Sequence, residues 1–260
     1  MSINLHFGQE DWQRVRRDWA AWWAGELERP LVSVEGWDPA AAASPPQAPE
    51  FVSVFPFDVP AAAVVDCYQA QLEARRFYGD AMPHWFPTFG PAAGAALLGA
   101  RGQPALDTIW FEPLDVAHLS ELHPAYDEAN PWWRRVREVL ALAAQRWGNH
   151  NLAISAIDLG GSLDILAHLR TPGRLLLDLH DAPEEVERLA REITRLWLRF
   201  FSEQCDLIQT TDGWTANWAK MIAPGRSYMM QCDFAYMIGP RMFERFVLPD
   251  LAACCDAMDY

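Results

Sequence analysis

Four aspartates, Asp158, Asp164, Asp212 and Asp233, stand just past stretches that read as β-strands. Carboxylates delivered to one mouth from separate segments can hold ligand N–H groups, stabilise a developing positive charge, or share a proton as general acid and base. Taken singly, each aspartate also suits a helix cap or a turn. Gathered on one expected face, they point to a site. Asp233 and Asp212 lead as catalytic candidates, with Asp164 beside them. His168 follows Asp164 by one helical turn, where the two can share a face. Gln231 and Asp158 are candidate ligand contacts, and Asp158 opens the run DLGGSLD, whose glycines let a ligand approach the backbone. That run is no phosphate loop, for it has neither GxGxxG nor the lysine of a P-loop. Trp85 and Phe89 within PHWFPTFGP, Trp214 and Trp218 four residues apart, and Tyr236 offer the flat apolar walls that a planar ligand needs. Cys232 is the one thiol placed near them, and zinc takes three or four thiolate or imidazole ligands, so no metal site is expected. GxSxG, HExxH and CxxC are absent, which removes the serine-hydrolase and zincin readings.

The elements that must carry these residues are legible from periodicity. Trp12, Val15, Trp19, Trp22 and Trp23 recur at three- and four-residue steps and predict a helix over 10–26, its stripe serving core or subunit packing. Residues 31–36 read as a first strand, followed by an irregular stretch rich in Pro and Ala. A helix is expected over 67–78, a short strand over 108–111, and a helix over 131–147 with Asn130 as cap, Pro131 in its first turn and Gly148 closing it. Strands follow at 151–157, 207–211 and 227–232. Between the first two of these, Asp181 is read as the cap of a long helix carrying Val186, Leu189, Ile193, Trp197, Phe200 and Phe201 on one side. Gly239–Pro240 opens a last helix, in which Pro249 should make a kink.

From residue 131 on, strands alternate with helices, which argues for βαβ units and a parallel sheet in a single domain over 1–260. Five or six strands of barrel type can be counted, so the fold class is α/β, a (β/α)8 TIM-type barrel read as truncated before its last strands. Thirty-five acidic against 21 basic residues give a net charge of −14, which disfavours nucleic acid as a partner. No apolar run reaches membrane-spanning length, and no secretion signal is read at the N-terminus. Five cysteines, odd in number and without a CxxC pair, suit reduced thiols in a cytoplasmic protein.

Three stretches, YGDAMPHWFPTFGPAAGAALLGA (78–100), AIDLGGSLDILAHLRTPGRLLLDLHDAPEEV (156–186) and QCDFAYMIGPRMFERFVLPDL (231–251), resemble the uroporphyrinogen decarboxylase superfamily, which also holds corrinoid-dependent methyltransferases. The last is the most specific: polar residues after a strand, then GPxxFxxFxxP entering a helix. The resemblance implies a (β/α)8 barrel with its cleft at the C-terminal ends of the strands. It places Asp233 about where the decarboxylases present a serine, and His168 near their active-site tyrosine. Where the decarboxylases follow strand one with arginines, this chain reads LVSVEGWDPAAAA, with Glu35 and no Arg. An octa-acid substrate needs cations that this stretch lacks.

The resemblance implies a small-molecule substrate, a tetrapyrrole or a methyl donor, with a corrinoid protein or a second copy of the chain as partners. No cofactor is identifiable within the chain. The methyltransferases' zinc ligands, a His-x-Cys and a later Cys, would fall beyond Tyr260. The expected function is therefore decarboxylation or methyl transfer. The alternative is a barrel without catalysis that binds a ligand or a corrinoid protein.

Overall fold

The computed structural model describes residues 3–44, 46–105, 108–148, 151–210 and 212–260. Helix α1 (Gln9–Trp23) leads into β1 (Ser33–Trp37), α2 (Ala61–Glu73) and β2 (Arg75–Gly79). Then come β3 (His84–Trp85), α3 (Gly94–Leu97), β4 (Arg101–Pro104), β5 (Ile109–Glu112), α4 (Pro131–Trp147) and β6 (Ala153–Ile154). Helices α5 (Ser162–Arg170), α6 (Pro172–Asp181) and α7 (Pro183–Ile208) precede β7 (Thr215–Ala216) and β8 (Ile222–Ala223). A 3-10 turn (Asp233–Met237), α8 (Pro240–Phe246) and α9 (Leu248–Cys255) complete the order. No helix among the described residues is long and apolar enough to cross a membrane.

The parallel pairing expected from the alternation is present but brief. β3 pairs with β6 in parallel, His84 opposite Ala153 and Trp85 opposite Ile154. Ser155 then bridges Ala216 in parallel, so β3, β6 and β7 lie side by side in chain order. Helix α4 connects the first pair and α5 to α7 the second, the βαβ arrangement. β1–β2, β4–β5 and β7–β8 are antiparallel pairs.

Helix α4 forms where its caps are strongest. Asn130 Oδ1 accepts the N–H groups of Trp132 and Trp133 at 2.9 and 3.1 Å, and Gly148 ends the helix at φ +61°. Its face buries Trp133, Leu140 and Trp147: Trp133 meets Phe200 of α7 edge-on at 4.9 Å, and Trp147 meets Trp85 of β3. Each such ring contributes about 2–3 kcal/mol on leaving water. Trp12, Val15 and Trp19 of α1 pack with Met82, Ala153, Ala216 and Ile222, closing the end at which the parallel strands begin.

Several local expectations need correction. Residues 75–78 are not helix: α2 stops at Glu73, and β2 pairs with β1 from Trp37↔Arg75 to Ser33↔Gly79. Residues 207 and 208 end α7, where Cys205 and Ile208 continue its buried stripe, and residue 211 lies outside the described residues. Asp181 is the last residue of α6 rather than a cap; Ala182 precedes Pro183. Segment 227–232 joins no ladder; side chains take backbone groups along it, Ser227 N–H donating to Thr215 Oγ1 at 3.1 Å and Met229 O accepting the Trp218 indole N–H at 3.2 Å. The break expected from Pro249 falls at Val247, which separates α8 from α9.

Candidate functional site

Past the end of β6 the chain runs straight into the α5 N-terminus, and this junction builds the site. Asp164 sits in the first turn of α5 with both oxygens occupied. Oδ2 accepts the N–H groups of Gly161 and Asp233, each at 3.1 Å, and Oδ1 that of Phe234 at 2.7 Å. The carboxylate thereby ties the 3-10 turn to the helix, across 69 residues of sequence. Gly161 permits the approach: a Cβ there would lie 2.4 Å from Gln231 O.

Asp158 is buried in the segment between β6 and α5. Its Oδ1 accepts the Gly160 N–H at 2.9 Å and the Tyr228 hydroxyl at 3.1 Å, with Gln231 Nε2 at 3.4 Å from both oxygens. Burial pushes both carboxyls above the ordinary carboxylate range, against the pull of these hydrogen bonds, and the nearby Asp233 charge adds to it. Asp233 itself is exposed. Among the described residues no Lys or Arg pairs with any of the three.

A cleft of about 280 Å³ joins Asp164, His168, Gln231 and Asp233, with Pro91, Ala92 and Met237 among its walls, at the small end of ligand sites. His168 is half-buried with its ring edge-on to Phe111 at 5.0 Å. Burial lowers its pKa, so the imidazole is neutral at pH 7. Two buried acids that already accept N–H donors, one open carboxylate and a neutral imidazole make a mouth suited to donors of N–H and to positive charge.

The other expected contacts fall elsewhere. Asp212 precedes β7 instead of ending a strand, because α7 runs to Ile208 and the chain loops before Thr215. It is exposed, paired with Arg16 of α1 and held by Thr210 Oγ1 at 2.6 Å. Arg16 also lies over the rings of Trp12 and Trp214 at 5.3 and 5.6 Å. Trp12, Arg16, Thr210 and Trp214 line a pocket with Ala153, the first residue of β6, so Trp214 and Arg16, the partner of Asp212, sit at the opposite end from Asp158.

Trp85 and Phe89 are core side chains. Trp85 packs between Tyr68 and Trp147, at 5.3 and 4.9 Å. Trp218 packs on the main core and donates to Met229 O at 3.2 Å. Tyr236 is 97% exposed and lies off the cleft, which its neighbour Met237 lines.

Sequence reasoning missed Tyr228, whose buried hydroxyl donates to Asp158 and accepts the Leu159 N–H at 2.9 Å. A tyrosine inside an apolar run was the available signal, since a buried phenol needs a partner. Glu35 is paired: Arg75 of β2 and Lys220, between β7 and β8, bind its two oxygens. Burial pushes the Cys232 thiol up to about 12. Among the described residues no three His, Cys, Asp or Glu side chains converge as metal ligands.

No family model matches the chain, and neither a curated protein nor a solved structure matches it.

Proposed function

We propose that the chain is a uroporphyrinogen decarboxylase-like (β/α)8-barrel enzyme acting on a tetrapyrrole or a methylated small molecule, by decarboxylation or methyl transfer. One observation carries the reading. Asp164 comes from the second resembling stretch, and its oxygens bind backbone N–H groups of the third, so two of the stretches that suggested the family meet at one cleft. The parallel order β3–β6–β7, with helices in the connections, supports it.

Asp233 is the group free to touch a ligand, and Asp164 positions it. A carboxylate without a cationic partner can take pyrrole N–H groups, and it can stabilise positive charge on a protonated ring or a charged methyl donor. His168, neutral at pH 7, can accept or return a proton.

The test is turnover by the full chain on porphyrinogens and on methyl donors with cobalamin, read as carbon dioxide release and methyl transfer. Asp233→Ala should cut kcat by roughly a hundredfold or more while leaving Tm in place; unchanged turnover would remove its role. The second reading, a binding module without catalysis, has its own support. Asp158 and Asp164 already accept protein donors, which leaves a single open carboxylate. Saturable porphyrin or cobalamin binding with neither product formed would favour that reading.

A further inference from the structure

Between α1 and the β1–β2 strand pair lies a second groove, of about 770 Å³, that shares no lining residue with the aspartate cleft. Trp19, Trp22, Glu35, Arg75 and Lys220 form its walls. Two cations meet one carboxylate there: Arg75 Nη1 and Lys220 Nζ stand 2.5 and 2.6 Å from different oxygens of Glu35. Neighbouring carboxylates are already matched, Asp80 by Arg29 and Asp38 by Arg76. The groove therefore carries an excess of positive charge, on a chain whose net charge is −14. Each cation keeps donors in reserve, since a guanidinium has five N–H groups and an ammonium three.

The ammonium is held there at a cost to the backbone. Lys220 has φ +60°, a left-handed conformation that lysine rarely adopts and that collects at ligand sites. Buried Asn217 enforces it: its Oδ1 accepts the N–H groups of Ala219 and Met221 at 3.1 and 3.3 Å, and its carbonyl that of Lys220 at 3.0 Å. Arg75 is braced from behind by the Trp37 ring at 5.0 Å. Opposite the charges, Trp22 is 39% exposed and edge-on to Trp19, a flat apolar wall.

We infer that this groove binds a small aromatic carboxylate, its anionic end bridging Arg75 and Lys220 and its ring lying against Trp22. The site is independent of the proposed catalytic cleft, so either can fail without the other.

Isothermal titration of the full chain with benzoate, inorganic phosphate and benzylamine tests it. Benzoate should bind saturably, phosphate more weakly and benzylamine not at all. Arg75→Gln and Lys220→Gly should each weaken benzoate roughly tenfold, as loss of a charge-assisted contact does, while Lys220→Arg retains binding. Lys220→Gly also relieves the left-handed backbone and should raise Tm, so its loss of binding cannot be loss of fold. Asp233→Ala should leave benzoate affinity unchanged. The inference is overturned by absent benzoate binding, by benzylamine or phosphate binding as tightly as benzoate, by undiminished affinity in Lys220→Gly, or by an equal loss in Asp233→Ala.

Discussion

Asp250 shows most plainly what burial does to a single side chain. It lies in α9 beside Cys254 and Trp197, and its Oδ2 has no hydrogen-bond partner. Burial lifts its pKa to about 6; the Thr194 hydroxyl and the Arg191 charge pull it down less strongly. A folded pKa above the ordinary 3.8 means that protons bind the folded state more tightly. The contribution is complete below pH 3.8 and is lost as pH rises through 6. The shift corresponds to on the order of 2–3 kcal/mol. Asp250→Asn should therefore flatten the fall in unfolding free energy between pH 4 and 7 and stabilise the protein above it, as read by urea titration at a series of pH values. An unaltered pH slope would remove Asp250 as its source. Asp164 acts through a neighbour instead. Asp164→Asn turns an amide N–H toward backbone donors, and it should cost about 2 kcal/mol of stability and roughly tenfold in turnover. In an Asp233→Ala background that turnover effect should vanish; an additive loss would mean that Asp164 acts on the ligand directly.

At the scale of elements, what was legible depended on whether an element's signal was local. α4 was readable because Asn130, Pro131 and Gly148 mark its ends and its apolar stripe is its own. α1 was readable for the same reason. β7 was not: two residues hold too few alternations to declare a strand, and Ile208, which looked like strand, continues the stripe of α7. That shift moved Asp212 from one end of the parallel strands to the other. Of the expected site, Asp158, Asp164, His168, Gln231 and Asp233 do gather. Trp85 and Phe89 did not, since an aromatic strip reads alike whether it faces core or cleft. The contact between α5 and the 3-10 turn spans 69 residues and leaves no local pattern. Gly161 is where it can be probed. Gly161→Ala would drive a methyl toward Gln231 O and Asp164 Oδ2, at 2.4 and 2.8 Å. Such overpacking costs about 1–3 kcal/mol and should loosen ligand binding along with it. Wild-type Tm and affinity in that variant would show that the turn can move aside freely.

Across the whole molecule the opposing electrostatic terms can be ranked. The chain carries 14 negative charges in excess, and many of its ion pairs, such as Arg188–Glu185 and Arg199–Glu203, are partly exposed. Exposed pairs contribute about 0–1 kcal/mol each and weaken as salt rises. Arg170–Asp178, with side chains only 8% and 14% exposed, is shielded from that screening. Self-repulsion responds differently, because every excess charge feels all the others within a Debye length. That length falls from about 30 Å at 0.01 M salt, the breadth of a small domain, to about 8 Å at 0.15 M. Relief of repulsion should outweigh the weakened surface pairs, so Tm at pH 8 should rise by a few degrees (about 2–5 °C) between those salt concentrations. The gain should shrink toward pH 5, near the isoelectric point of about 4.8, where the excess charge disappears. Scanning calorimetry at both pH values separates the terms: a Tm that falls with salt at pH 8 would show that the surface pairs, and not the net charge, govern the stability of the fold.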